Sequence, residues 1–286
     1  MKRHFKKLLL CAFLLCTQGF GLEAKSGFYG EASFNSGYLY HTNSNASASA
    51  IPSGIGFELG YILQNTFKIG LLGTLLSSPS SNKSTSFVSS NPSIVDTTTR
   101  YKGGKQLLFL DFGLKGGINI LERSNVTHGT LYLNSGIYIR DMAFANEGDV
   151  WVDIVHSVIP FEVEALYYYN EKLGIYYLGA FDLMETIYEF VPNTIKQSAQ
   201  ERTKSSVMSY GVRLGVGMSY KVSKEKRFFT RLILSYIYAP QSPTQQILTP
   251  SRTPDSNPSI LGDVRANVFY PSNNTLGINL KIGFGF

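Results

Sequence analysis

The last eleven residues, Leu276 to Phe286 (LGINLKIGFGF), alternate without a break. Leu276, Ile278, Leu280, Ile282, Phe284 and Phe286 fall on one side; Gly277, Asn279, Lys281, Gly283 and Gly285 fall on the other. A period of two residues is that of a β-strand with one apolar face and one polar or tiny face. An apolar strand ending on an aromatic invites edge pairing in water. A transmembrane barrel strand accounts for both features, with lipid against one face and the lumen against the other.

The same period recurs along the chain. Outward, lipid-side residues are expected at Phe28, Ala32, Phe34, Tyr38 and Tyr40 in a weaker first strand, then at Ile55–Leu63, Phe67–Leu75, Leu108–Ile120 and Leu131–Ile139. They continue at Ile159–Tyr167, Leu173–Leu183, Met208–Val222 and Leu232–Tyr238, in each case at alternate positions. With the last strand the count is ten, each long enough to cross a bilayer when tilted. The expected class is all-β: an antiparallel transmembrane β-barrel of ten strands, with twelve as the alternative count.

The connections alternate in length. Short turns fall at Gln64–Thr66, Leu121–Asn125, Asn170–Lys172 and Ser223–Lys226. Long polar segments fall at 42–52, 77–105, 141–150, 189–204 and 239–274. Outer-membrane barrels place short turns on the periplasmic side and long loops outside, and ten strands with both ends inside fit that parity. The β-like stretch Gly262–Tyr270 is read as an ordered part of the last outer loop. A twelfth strand would have to come from Gln241–Pro258, where Pro243, Pro250, Pro254 and Pro258 argue against one. The loops, rich in Ser, Asn, Thr and Pro, are expected to be mobile and to form the surface that meets other molecules. Tyrosines near strand ends, Tyr167, Tyr168 and Tyr169 at one end and Tyr236 and Tyr238 at the other, are expected in interfacial girdles.

Residues 1–24 read as an export signal: Lys2, Arg3, Lys6 and Lys7, an apolar run from Leu8 to Cys16, and cleavage after Gly21 or Ala24. The run is too short to span a bilayer as a helix. Cys11 and Cys16 both lie in this segment, so residues 25–286, the single barrel domain, carry no thiol for a disulfide, metal site or nucleophile. The segment holds four of the 26 basic residues and one of the 20 acids, which leaves 22 against 19, net +3. That balance does not suggest nucleic acid as a partner.

Parity then assigns the lumen. It should hold Glu31, Glu58, Asp111, Glu162, Glu164 and Asp182, opposed by Lys68, Lys115, Arg140, Arg213, Lys221, Arg231 and Lys281. Glycines recur on the same face, and small residues beside long charged ones suit a narrow, filled interior. Asp182 and Arg213 are expected to pair. The favoured reading is an ion-pair network that plugs the barrel; the alternative is a narrow ion or solute path lined by the same groups.

Catalysis is not expected. Glu162 and Glu164 share one face of one strand, whereas a glycosidase pair comes from separate elements flanking a substrate. His41 and His128 belong at opposite ends. His156 with Ser157 and Asp153 is a tempting trio, but neighbours in a strand point apart, which undercuts a Ser–His relay. No cofactor is implied and no metal-ligand spacing occurs.

With its signal, its alternating strands and its terminal Gly283-Phe284-Gly285-Phe286, the chain resembles small integral outer-membrane β-barrel proteins of Gram-negative bacteria. Its Lys-rich signal, Ser/Asn-rich loops and Gly27-Phe28-Tyr29 opening are similar to the Helicobacter outer-membrane protein families. The resemblance implies outer-membrane lipid and lipopolysaccharide as surroundings. It also implies recognition by the barrel-assembly machinery through Leu280, Ile282, Phe284 and Phe286. The role it implies is surface display, structural or adhesive, with a host or surface ligand met through the loops. Ten-stranded outer-membrane barrels include the omptin proteases, whose rim carries Asp-x-Asp and Asp-x-His pairs; neither pattern occurs here.

Overall fold

The computed structural model describes residues 26–44, 47–78, 81–83, 88–89, 107–121, 129–144, 150–192, 203–223, 226–252 and 260–286. The export signal and His128 lie outside the described residues. Among the described residues all regular structure is β.

Ten long antiparallel strands close on themselves. They are β1 (Ser26–Asn43), β3 (Ser53–Leu63), β4 (Phe67–Ser78), β7 (Leu107–Asn119), β8 (Gly129–Phe144), β9 (Val150–Tyr168), β10 (Leu173–Pro192), β11 (Thr203–Lys221), β12 (Arg227–Ala239) and β15 (Asn273–Gly285). Each pairs with its neighbours in chain order. The ring shuts where β15 pairs with β1, from Glu31 opposite Gly285 to Asn43 opposite Asn273. Closure leaves no strand edge within the bilayer, where an unpaired backbone group costs several kcal/mol.

The expected lipid faces are on the outside. Phe28, Phe34, Ile55, Ile69, Leu114, Ile137, Phe161, Leu214, Met218 and Leu280 are all exposed, Leu214 at 62%. A soluble molecule would not present such a continuous belt to water, but hydrocarbon requires one. The belt follows from the alternation, since each outward apolar residue is followed by one that faces in.

The turn end of the barrel is tight. Leu63 to Thr66 closes with a Thr66 N–H bond to the Leu63 carbonyl, and Gln64 and Asn65 take φ of 50° and 54°. Two successive left-handed residues make a turn whose twist matches the flanking strands.

The loop end departs from expectation. Segment 42–52 contains β2 (Ser47–Ala50), which pairs with the top of β1, and β5 (Ser81–Lys83) pairs with β2 in turn. The last outer segment contains β13 (Gln245–Arg252) and β14 (Ile260–Phe269), and β14 also pairs with β6 (Val88–Ser89). Gly262–Tyr270 is thus the ordered loop element expected. The prolines did not prevent a strand in Gln241–Pro258, however: Pro250 lies within β13, opposite Asp263. β13 is an edge of its own three-stranded sheet, where a residue without an N–H is tolerated. The count in the barrel stays at ten. These outer pieces also have a core, in which Ile247, Ala266, Val268 and Tyr270 pack on Ile154, Tyr188, Phe190 and Ala239 of the barrel rim. Ala48 and Ala50 pack similarly on Leu107 and Met142. The described parts of these loops therefore have one packed face, with Gln246, Arg265 and Asn267 left exposed on the other.

Candidate functional site: the charged lumen

Tyr29, on the inward face of β1, lies flat across Gly60 and Gly70 of β3 and β4. A methyl on either glycine would overlap its ring or hydroxyl. So placed, its hydroxyl donates to Glu58 Oε1 at 2.9 Å. From Glu58 a network spreads around the lumen. Lys115 Nζ reaches Glu58 at 3.0 Å, Glu162 at 3.5 Å and Glu164 at 3.6 Å, and Lys68 holds Glu164 at 2.5 Å. Asn134 donates to both Glu162 and Glu164. The two glutamates are thus structural members of the network.

Asp182 is the anchor of a second set. Arg213 grips both its oxygens at 2.8 Å and reaches Glu162 at 3.3 Å. Arg140 bonds Asp111 at 2.9 Å and approaches Asp182 at 3.9 Å. A fork of this kind is the strong form of a charge-assisted bond. Glu31 forms a third set, held by Arg231 and by Arg227. Tyr176 and Phe229 lie against the Arg231 guanidinium, 4.2 Å and 4.3 Å from ring centre to carbon.

The lumen residues expected from parity, Glu58, Asp111, Lys115, Arg140, Glu162, Glu164, Asp182, Arg213, Arg231 and Lys281, all face inward. The ion pairs join all of them but Lys281. Sequence reasoning missed Arg227, which sits one residue past a turn but on the inward register of β12. With it the inward charges among the described residues number eight basic and six acidic. It also missed the inward tyrosines Tyr29, Tyr132, Tyr138 and Tyr176, which the same parity assigns. Tyr168, placed by sequence in an interfacial girdle, instead turns inward, and Lys221 Nζ sits 4.3 Å from its ring centre. Tyr167 and Tyr169 do face out.

These side chains leave little space. A cavity of about 100 Å³ remains at mid-depth and another of about 90 Å³ towards the turn end. Glu31, Glu58, Glu164, Tyr176 and Arg231 form the wall between them.

The loop end of the lumen carries the histidines. His156 meets Thr186, Nδ1 to Oγ1 2.8 Å, and not Ser157; Thr186 in turn meets Ser209 at 2.5 Å. None of His156, Thr186 and Ser209 is more than 3% exposed, which closes the chain of hydroxyls to any large substrate. His41 bonds Thr275 and the Tyr270 hydroxyl at 2.8 Å and 2.9 Å. Tyr270 stacks on Tyr188, and burial pushes its hydroxyl well above the usual tyrosine range. The outer sheet is thereby fastened to the rim. No group of three or more metal-binding side chains occurs among the described residues.

Of the residues expected to guide assembly, Leu280, Ile282 and Phe284 lie on the lipid face. The Phe286 ring covers Gly30, with which it exchanges both backbone hydrogen bonds, at 3.1 Å and 2.9 Å.

No family model matches the sequence. No curated protein matches it either. Among solved structures it is similar to the outer-membrane protease OmpT from Escherichia coli. The match has 10% identity and a TM-score of 0.56, over 91% of this chain and 96% of that one. The translocator domain of the autotransporter NalP from Neisseria meningitidis matches at 9% identity and TM-score 0.41, over 98% and 95% of the two chains. The attachment invasion locus protein Ail of Yersinia pestis matches at 10% and 0.29, over 90% and 99%. The last two superpose too loosely to carry an argument, and the first speaks to the fold alone. That fold is the one used by bacterial outer-membrane barrels, and the apolar belt is what such a membrane demands. The protein is an outer-membrane β-barrel.

Proposed function

We propose that the protein is a non-enzymatic barrel with a filled lumen, whose outer face makes structural or adhesive contacts with a host or surface ligand. The observation that supports this is the division of the lumen into spaces of about 100 Å³ and 90 Å³ by paired charges. A barrel packed in this way is a rigid pedestal, and its work falls to the face that it raises above the membrane. The inward carboxylates that chemistry would need are engaged by arginine and lysine, and the histidine chain is buried. In this reading residues 1–24 are an export signal that is removed, and 25–286 form one domain. The barrel-assembly machinery would read Leu280, Ile282, Phe284 and Phe286, and lipopolysaccharide would border the outer half of the belt. The kinship with the Helicobacter families rests on the signal, the loop composition and the Gly27-Phe28-Tyr29 opening.

Refolded protein in planar bilayers tests the filled lumen: no steady current is expected under an applied potential. Removing 77–100 tests the adhesive role, since adhesion of bacteria bearing the shortened loop should fall. Unchanged adhesion would discount that loop as the contact.

The second reading, a narrow channel, draws on the shared wall of the two cavities: a shift of Glu31, Glu164 and Arg231 would join them. A reproducible unitary current, enlarged in Arg231→Ala, would favour it.

A further inference from the structure

Near the turn end, where β1, β3, β4 and β7 run side by side, the apolar belt is cut by a trough. Two rows of outward residues cross these strands. In the upper row Gly30, Leu59, Leu71 and Leu114 are successive ladder partners, and the Phe286 ring ends the row by lying over Gly30. In the lower row, closer to the turns, Phe28, Tyr61, Ile69 and Gly116 are partners. Between the rows the strands pass through Tyr29, Gly60 and Gly70, positions that face the lumen, so backbone forms the floor. Phe28 leans on Tyr61, ring centres 5.2 Å apart and edge to face. At Gly116 the lower row has no side chain, and a methyl there would meet nothing closer than 3.8 Å. The space left is about 630 Å³.

The belt immerses this trough in hydrocarbon, so lipid fills it. A chain carbon needs about as much room as a water molecule, ~30 Å³, so the space takes on the order of twenty carbons: one acyl chain and not a pair. Within a bilayer no hydrophobic force favours one apolar contact over another. A lipid held here differs from its neighbours by packing against two walls and a floor, and by a charge at its head. Lys226 supplies that charge. Arg227 is the ladder partner of Gly285, so one step towards the turn Lys226 stands level with Phe286, the end wall of the trough. Arg227 faces the lumen, and its neighbour Lys226 therefore faces out. Lys226 is exposed, and its ammonium has no ion pair among the described residues. The turn end meets the periplasmic leaflet, where lipid headgroups carry a phosphodiester.

We propose that the trough is a binding site for one anionic glycerophospholipid of the periplasmic leaflet, with an acyl chain between the two rows and the phosphate on Lys226. The lipid would bridge β15 and β1, where the ring closes, and so staple the closing seam from outside. The site is independent of whether the lumen is filled and of whether the outer face is adhesive.

The full chain refolded in detergent micelles doped with phosphatidylglycerol tests this by native mass spectrometry. One lipid adduct is expected to survive the activation that strips the micelle. Ile69→Trp/Leu114→Trp, which puts two rings into the trough from exposed positions, should abolish the adduct. Leu214→Trp, on the belt of β11 and outside the trough, should retain it. Lys226→Gln should weaken binding by about fivefold, the scale of one lysine beside an anionic headgroup. Folding of each variant is read from heat-modifiable gel migration. No adduct on the unaltered protein, an undiminished adduct on folded Ile69→Trp/Leu114→Trp or Lys226→Gln, equal loss in Leu214→Trp, or a second copy of the chain in place of lipid would each overturn the proposal. Crystals grown with phosphatidylglycerol brominated on its chains give an arm that needs no variant: an anomalous peak between Leu59 and Tyr61 supports the site, and its absence there overturns it.

Discussion

At Asp182 the side chain is 1% exposed and both oxygens are taken by Arg213. Replacing it by Ala takes away the bidentate partner of a buried guanidinium and leaves it only Glu162, at 3.3 Å; removing one member of a buried pair costs about 3–5 kcal/mol. Urea unfolding from lipid vesicles should show that loss for Asp182→Ala and recover much of it in Asp182→Ala/Arg213→Met, because the second change removes the stranded charge. A different residue-scale effect operates at Gly60 and Gly70. Both lie beneath Tyr29, so Gly70→Val must lift the ring and break its bond to Glu58. Overpacking of this sort costs about 1–3 kcal/mol, and the same unfolding assay reads it.

At the scale of elements, Tyr270 is the fastening of the β13–β14 hairpin, through its stack on Tyr188 and its bond to His41. Tyr270→Ala should leave the barrel folded, with unchanged heat-modifiable migration, while limited proteolysis within 239–274 becomes faster. Protection equal to that of the unaltered protein would mean that the apolar packing of Ile247 and Val268 suffices. The elements also differ in how readable they were. Every barrel strand was visible because lipid on one side and lumen on the other impose an alternation, interrupted in the belt at small residues such as Gly73, Gly116, Ser135 and Gly179. The same parity located the lumen charges and the Asp182–Arg213 pair. Past the membrane that rule lapses: Ala48, Ala50 and Val268 are covered by protein, and of these outer strands only β14 was legible, as the stretch Gly262–Tyr270, while β2 and β13 were not. Pro250 misled for a related reason, since its tolerance depends on β13 being an edge, which only the tertiary pairing reveals. Partners inside the lumen were unreadable too. Which base meets Glu31 depends on strand register: Arg227 and Arg231, four residues apart on β12, both converge on it.

For the whole molecule the belt and the lumen set opposite tolerances. An arginine at Leu214, near the middle of β11 and 62% exposed, would face hydrocarbon and cost about 2–4 kcal/mol. Leu214→Arg should therefore fold more slowly into vesicles and unfold at lower urea. The same residue type is already accommodated one position earlier, at Arg213, where the side chain turns inward to Asp182. Beyond the membrane, the pairings β2–β5 and β14–β6 join three stretches of chain far apart in sequence. A binding site on that surface is consequently composite. Antibodies raised against the intact protein should recognise it poorly once it is denatured, and synthetic peptides copied from single loops should make weak immunogens. Variation among strains should come as matched changes spread over this composite surface rather than within one stretch alone.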